Sequence, residues 1–130
     1  METWYLDTSA ALKLIVREPE SPAFLAAIQA KRPLLTSSSL IETELRRAAL
    51  RNPAVTQNDV FTLLSSLNIF EIGGAVYRQA GLLPGAHLRS FDAIHLACAL
   101  LIDASAIVSY DKRMLEAAHQ VGLPTLSPGY

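Results

Sequence analysis

The sequence predicts an α/β fold with a mainly parallel β-sheet that is covered by helices on both faces. Short apolar runs typical of buried strands alternate along the chain with longer segments of helical periodicity. Parallel strands need crossover connections, and a helical segment separates each predicted strand from the next. At 130 residues and 51% hydrophobic content, the chain can bury a core of its own. We therefore expect residues 1–130 to form one domain.

The first predicted strand covers residues 4–6 and ends at an aspartate, Asp7. Thr8 or Ser9 can then cap a helix that reaches about Val16. An aspartate directly after a strand has two interpretations, as part of the turn into the helix or as a functional group. The local sequence leaves both open.

The later elements follow the same alternation. The expected elements are a helix at 23–30, a strand at 33–36, a helix at 39–51, a helix that starts at Thr56-x-x-Asp59, and a strand at 68–72. After Gly73-Gly74 we expect a helix, a Pro-Gly loop, a helix within 88–102, a strand at 106–109, a helix to Val121 and a strand at 124–126.

The segment 88–102, LRSFDAIHLACALLI, predicts a helix that is apolar on nearly every side, yet Asp92 stands in its first turn. One interpretation is structural. Ser90 can cap this helix, and the charge of Asp92 then meets the positive end of the helix dipole. The alternative is that Asp92 belongs to a functional site with acids from elsewhere in the chain.

The predicted helix at 39–51 contains two glutamates, and the first has a structural role. Glu42 can complete a Ser39-x-x-Glu42 capping box and can pair with Arg46 one turn later. These interactions need no functional explanation.

The second glutamate, Glu44, lies beside the apolar face on a helical wheel. An unpaired carboxylate there is costly, so Glu44 should have an arginine partner, a raised pKa or a metal ion. Arg47 and Arg51 lie at the edge of the same arc and are the alternative to a metal.

Four carboxylates can meet at one edge of the predicted sheet. Ligands bind outside the carboxyl ends of parallel strands, and both Asp7 and Asp111 follow a predicted strand. If the helix of Asp92 starts at the same end, these two acids converge with Glu44 and Asp92, and the group repels unless a cation lies between its members. Oxygen ligands without a Cys or His cluster favour Mg²⁺ or Mn²⁺ over zinc. Such ions can activate water and stabilise the oxyanion that leaves a phosphodiester, which is nuclease chemistry.

The net charge of −1 argues against a protein that coats nucleic acid by bulk charge, so any polyanion site must be local. Six of the eleven basic residues stand close to the acids along the chain: Arg46, Arg47, Arg51, Arg89, Lys112 and Arg113. A charged rim of this kind can hold phosphates. Ordinary solvated helix faces are the alternative interpretation.

Four motifs together resemble the PIN-domain family and, within it, the VapC toxins of bacterial and archaeal VapBC toxin-antitoxin modules. The motifs are YLDTSAAL at 5–12, SSLIETELRRA at 38–48, LRSFDAIHLA at 88–97 and VSYDKR at 108–113. They occur in the order and at the spacing of the family. The resemblance implies a three-layer α/β/α fold.

The resemblance also implies a function. It places Asp7, Glu44, Asp92 and Asp111 on the acidic metal-binding positions of the family and implies Mg²⁺-dependent endonucleolytic cleavage of RNA, with Mn²⁺ as a substitute. The hydroxyls of Thr8 or Ser9 and of Ser109 match positions that help to hold metal, water or a neighbouring carboxylate. Where some relatives have a further acid, this chain has Arg113, so a second metal would bind weakly or only with RNA.

The partners implied by the resemblance are a second copy of the chain, in a homodimer, and a small VapB-type antitoxin. The antitoxin would lie along the groove with its C-terminal segment and place an arginine near the acids. We expect a cytoplasmic protein without a secretory signal or a membrane span, because the longest apolar run, at 93–102, is far short of the ~20 residues a span needs.

Two further residues are assigned to the core. His95 matches a position that is commonly histidine in these toxins, but on an apolar helix it is expected as a hydrogen-bonded core residue. The lone cysteine, Cys98, lies in the same apolar run and is expected to pack there.

Two rival functions remain. The first is a catalytically inactive PIN-like binding module, against which the four retained acids argue. The second is a phosphoaspartate phosphatase or receiver domain, but the segment after Asp7 lacks the second aspartate of the phosphatase motif. No acidic pair with a late lysine indicates a receiver.

Overall fold

Five strands form one sheet, in the order β3-β2-β1-β4-β5. The computed structural model describes residues 1–130. The strands are β1 (Thr3–Leu6), β2 (Leu34–Ser38), β3 (Asn68–Phe70), β4 (Ala106–Val108) and β5 (Thr125–Leu126). Each neighbouring pair is parallel. The predicted α/β fold is therefore confirmed, with β1 at the centre of the sheet.

Seven helices connect the strands. They are α1 (Thr8–Lys13), α2 (Ser21–Lys31), α3 (Leu40–Arg51), α4 (Gln57–Ser65), α5 (Gly74–Leu82), α6 (Ser90–Leu101) and α7 (Lys112–Gln120). None of them combines the length and apolar character that crossing a membrane requires.

Two hydrophobic cores lie on the two faces of the sheet, because side chains alternate along each strand. Trp4 and Leu6 of β1 join a core that includes Ile41 of α3. Tyr5 points to the opposite face and joins a core that includes Leu96 of α6. Helices α3 and α6 are thereby fixed on opposite layers, and burial of each such side chain contributes roughly 1.5–3 kcal/mol.

The start of α1 differs from the prediction. Asp7, and not Thr8 or Ser9, is the N-cap, and its Oδ1 accepts a hydrogen bond from the Ala10 N–H at 3.0 Å. Both hydroxyls make other hydrogen bonds, and a carboxylate is a stronger acceptor than a hydroxyl for this N–H. The helix ends at Lys13, before the predicted Val16.

The capping box predicted for Ser39 is wrong. Ser39 has helical backbone angles, φ −59° and ψ −20°, and its side chain makes no capping hydrogen bond. A cap needs an extended backbone, which Thr56 has at φ −98° and ψ 156°. The box predicted at Thr56 and Asp59 is accordingly present, with Thr56 Oγ1 accepting from the Asp59 N–H at 3.0 Å.

Two other boundaries also differ. Arg89 is the N-cap of α6 and makes no side-chain cap, so Ser90 lies inside the helix and does not cap it. Asp92 still lies in the first turn, as the structural interpretation requires. Strand β3 ends at Phe70, two residues before the predicted end, and all three of its residues are exposed at the edge of the sheet.

Candidate active site

The carboxyl ends of β1 and β4 place two of the predicted acids on the same edge of the sheet. These strands are neighbours, with Leu6 paired to Val108. Asp7 follows β1 directly, and Ser109 and Asp111 follow β4. Parallel sheets bind ligands at this edge.

Asp7 is almost fully buried, with 3% of its surface exposed. Its Oδ1 accepts from Ser9 Oγ at 2.7 Å and from the Ala10 N–H, and its Oδ2 accepts from Ser109 Oγ at 2.6 Å. Burial raises the pKa of Asp7, and these three hydrogen bonds oppose the shift. Asp7 thus caps α1 and is also held at the carboxyl edge, so its structural and functional interpretations are compatible.

Glu44 projects from α3 to the same edge of the sheet, and its partners are not arginines. Its Oε1 accepts from Thr8 Oγ1 at 2.7 Å and lies 2.5 Å from His95 Nε2, whereas its Oε2 makes no hydrogen bond to the protein. Burial alone would raise the pKa of Glu44, but the interactions with His95 and Thr8 outweigh it and hold the pKa below its ordinary value. The alternative of a pair with Arg47 or Arg51 is not observed.

His95 is fully buried, and both ring nitrogens have partners. Nε2 contacts Glu44, and Nδ1 lies 2.6 Å from the hydroxyl of Tyr5. His95 is therefore hydrogen-bonded inside the core, as expected, although one of its partners belongs to the candidate site. Cys98 is buried in the same core.

Asp92 and Asp111 line an open pocket of about 350 Å³ together with Glu44. Burial, followed by the negative charges of Asp111, Asp7 and Glu44, raises the pKa of Asp92 to about 6. The structure thus brings the four predicted acids close enough for their charges to act on one carboxyl group. Asp111 also caps α7, because its Oδ1 accepts from the Arg113 N–H at 2.9 Å.

The four acids are not arranged as a complete metal-binding site. No three His, Cys, Asp or Glu side chains lie close enough together to hold one ion. The donor chemistry nevertheless fits a hard divalent cation, since every acid offers oxygen and Glu44 Oε2 and the Asp92 carboxyl remain available. A bound ion would have to draw the carboxylates closer than they stand here.

The six basic candidates are distributed unevenly around the pocket. Only Arg89 lines it. Arg46 is engaged elsewhere, with its Nε donating to Glu42 at 3.0 Å and its Nη1 to Gln57. The remaining candidates are exposed and form no ion pair: Arg47, Arg51, Lys112 and Arg113.

Sequence reasoning missed two features of the site. Phe91 is 56% exposed and is the one apolar residue that lines the acidic pocket. The sequence signal that could have identified Phe91 is its position next to Asp92 in the first turn of α6. The second is Tyr5, which is fully buried; a buried tyrosine hydroxyl generally needs a partner, which here is His95.

Comparison with known proteins assigns the chain to a family and finds its fold in solved structures. The PIN domain family model matches residues 4–120. The chain is similar to Ribonuclease VapC46 of Mycobacterium tuberculosis (strain ATCC 25618 / H37Rv), with 37% identity over 98% of this chain and 99% of that protein. It is also similar to Ribonuclease VapC47 of M. tuberculosis (strain CDC 1551 / Oshkosh), with 38% identity over 96% of each chain.

Two solved structures share the fold at low sequence identity. VapBC2 from Rickettsia felis, solved bound to a DNA fragment from its promoter, matches with a TM-score of 0.74 and 17% identity, covering 95% of this chain and 97% of that one. A toxin-antitoxin complex from Klebsiella pneumoniae matches with a TM-score of 0.72 and 21% identity, covering 97% of each chain. The family match over most of the sequence and the full-length similarity to VapC proteins lead to one conclusion: the chain belongs to the PIN domain family and, within it, to the VapC group.

Proposed function

We propose that this chain is a metal-dependent endoribonuclease and the toxin of a type II toxin-antitoxin system. The observation that carries the proposal is the pocket lined by Glu44, Asp92 and Asp111, with the buried Asp7 close enough to raise the pKa of Asp92. The names of the similar VapC ribonucleases support RNA as the substrate.

The proposed cofactor is Mg²⁺, with Mn²⁺ as a substitute, held by Asp7, Glu44, Asp92 and Asp111. When bound, such an ion supplies a lowered pKa for water and offsets the charge that develops on the phosphate oxygens. The unused Oε2 of Glu44 and the pocket-facing Asp92 and Asp111 are the groups on which this assignment depends.

The chain's own residues fix these acids in advance. Ser9 and Ser109 hold both oxygens of Asp7, and Thr8 holds one oxygen of Glu44. Fixed carboxylates need less reorganisation when charge develops in the transition state, which is how preorganised groups accelerate a reaction.

The RNA is bound at the mouth of the same pocket. Arg89 can pair with a phosphate, and the exposed ring of Phe91 offers a face for a nucleobase. Because stacking on an aromatic ring needs an unpaired base, single-stranded RNA is the expected form of the substrate. We infer a cytoplasmic site of action, since that is where such RNA is found.

A cleavage assay tests the proposal. The purified full chain should cut single-stranded RNA with Mg²⁺ and not with EDTA. Asp7→Asn and Asp92→Asn should each lose about 100-fold or more of this activity, since even residues behind the ligands of a metal site are worth about 10–100-fold. An RNA that stays intact with Mg²⁺ would favour the inactive PIN-like binding module, and cleavage by Asp92→Asn at the parental rate would contradict the assigned site.

We also propose a small VapB-type antitoxin as the partner that blocks the site. The similarity to solved VapBC and toxin-antitoxin complexes supports this partner, and an arginine side chain would suit the acidic pocket. Co-expression with the short reading frame beside the gene should give a complex in which RNA cleavage is suppressed. If the product of that reading frame does not bind the chain, the proposed partner is contradicted.

A homodimer is the proposed assembly. Tyr77 and Leu82 of α5 are 55% and 85% exposed, and apolar side chains of this size are common in interfaces. Light scattering after size-exclusion chromatography should give twice the 14.1 kDa mass of one chain. A monomeric mass at micromolar concentration would contradict the dimer.

A further inference from the structure

A line of hydrogen bonds runs from the central strand to Glu44 through two fully buried side chains. The Tyr5 hydroxyl lies 2.6 Å from His95 Nδ1, and His95 Nε2 lies 2.5 Å from Glu44 Oε1. Tyr5 and His95 are both 0% exposed. The line connects residues that are 90 and 51 positions apart in the sequence.

The direction of these hydrogen bonds follows from what each group can donate. An ionised carboxylate only accepts, so His95 Nε2 must carry the hydrogen that it shares with Glu44. On a neutral ring Nδ1 then accepts, and the phenol of Tyr5 donates to it.

The line of hydrogen bonds fixes one oxygen of Glu44 and leaves the other free. Thr8 donates to the same Oε1 at 2.7 Å, while Oε2 has no protein partner. Glu44 belongs to α3 on one face of the sheet, and His95 belongs to α6 on the other. The contact between them therefore holds two helical layers together directly at the candidate site.

A core has no packing reason to contain these polar atoms. Phenylalanine and leucine would occupy similar volumes, and burying a phenol and an imidazole costs solvation that their hydrogen bonds only offset. What Tyr5 and His95 provide, and apolar residues would not, is the orientation of the Glu44 carboxylate.

We propose that Tyr5 and His95 are positioning residues, which hold Glu44 through Oε1 so that Oε2 faces the divalent cation. The inference rests on the proposed metal site and adds to it two residues that touch neither the ion nor RNA. Groups that orient metal ligands from behind typically change metal affinity or activity by about 10–100-fold.

Mn²⁺ affinity measured by calorimetry on the full chain tests this role without a cleavage assay. Tyr5→Phe and His95→Leu should each weaken Mn²⁺ binding about tenfold or more. His95→Gln should recover part of the loss, because an amide N–H can still donate to Glu44. Tyr110→Phe is the matched control, since its hydroxyl donates to the Pro128 carbonyl oxygen at 2.8 Å instead of to His95, and it should bind Mn²⁺ like the parent.

Nitrogen NMR of the imidazole gives a second readout that needs no metal. His95 Nε2 should carry a proton, and the signal is assigned by its absence in His95→Gln. A bare Nε2 would overturn the inference. The signals of His87 and His119 serve as internal references, because neither residue contacts Glu44.

The outcomes separate this inference from the proposed function. Failure of the parent chain to bind Mn²⁺ or to cut RNA would overturn the proposed function itself. If the parent binds Mn²⁺ and folded Tyr5→Phe and His95→Leu bind it as tightly as the parent does, the metal site stands and the positioning role is overturned. Thermal unfolding of each variant shows that it is folded, and Tyr5→Phe decides the question if His95→Leu does not fold.

Discussion

Asp92 is a carboxyl group whose ionisation is opposed by the fold. Burial and the charges of Asp111, Asp7 and Glu44 raise its pKa from 3.8 to about 6. The folded state therefore holds the proton more tightly than the unfolded state does. Protonation of Asp92 therefore contributes its full stabilisation of the folded state below about pH 4. This contribution falls as the pH rises towards about 6 and is absent at higher pH.

Asp92→Asn should therefore stabilise the metal-free protein at pH 7.5. The gain should be about 1 kcal/mol after allowance for solvent screening of a partly exposed group, or about 3 °C in melting temperature. The gain should shrink at pH 4.5, where Asp92 is largely protonated. Thermal unfolding in EDTA at both pH values measures it, and a variant less stable than the parent at pH 7.5 would contradict the electrostatic account.

The two glutamates of α3 form a matched pair of substitutions. Glu44→Gln should lose RNA cleavage, on the order of 100-fold, because it removes a charge from the pocket. Glu42→Gln should cleave like the parent and lose only about 0.5 kcal/mol of stability, since Glu42 makes an exposed i,i+4 pair with Arg46. Comparable losses in both variants would indicate that helix stability, and not the pocket, controls the activity.

At the residue scale, the sequence predicted that Glu44 needs a partner but not which residue provides it. The helical wheel placed Glu44 beside an apolar face, and the structure shows it partly buried with two hydrogen-bond partners. The identity of these partners could not be predicted, because Thr8 and His95 are 36 and 51 positions away. The arginines nearby in sequence were the natural candidates, but they remain solvent-exposed or, like Arg46, pair with Glu42.

At the scale of the element, the start of α6 places three different side chains at the acidic pocket. Arg89 is the N-cap, and Asp92 and the exposed Phe91 lie in the first turn. Phe91→Ala should raise the KM for single-stranded RNA about tenfold, because base stacking contributes roughly 1–3 kcal/mol. The control is Phe61→Ala, which removes a ring of similar exposure, 63%, from α4. Steady-state kinetics measure both, and an unchanged KM for Phe91→Ala would remove Phe91 from the RNA site.

Helix starts show where local patterns are sufficient and where they are not. The capping box at Thr56 was predictable because both partners lie within four residues. The same type of pattern at Ser39 failed, because the chain enters α3 with helical backbone angles. At α1 the hydroxyls of Thr8 and Ser9 bind the carboxylates of the site and do not cap the helix. Competition for the site's hydrogen bonds is a tertiary effect and leaves no local signal.

At the scale of the whole molecule, the parallel sheet explains how distant acids meet. Alternating strands and helices predicted the sheet, and parallel strands present all their carboxyl ends at one edge, which brings Asp7 and Asp111 together. The spacing of the carboxylates could not be predicted in this way. The acids interact electrostatically but are not arranged as a complete metal-binding site. Their side-chain positions depend on burial and hydrogen bonds that exist only in the packed molecule.

The central claim is that this edge of the sheet takes a divalent cation between mutually repelling carboxylates. The most direct measurement is the melting temperature in EDTA and in millimolar Mn²⁺, for the parent and for Asp92→Asn. An ion that binds only the folded state stabilises it, by about 1.4 kcal/mol at tenfold excess over Kd. We predict that Mn²⁺ raises the melting temperature of the parent by several degrees and leaves that of Asp92→Asn nearly unchanged. Equal shifts in both proteins, or no shift in the parent, would contradict the claim.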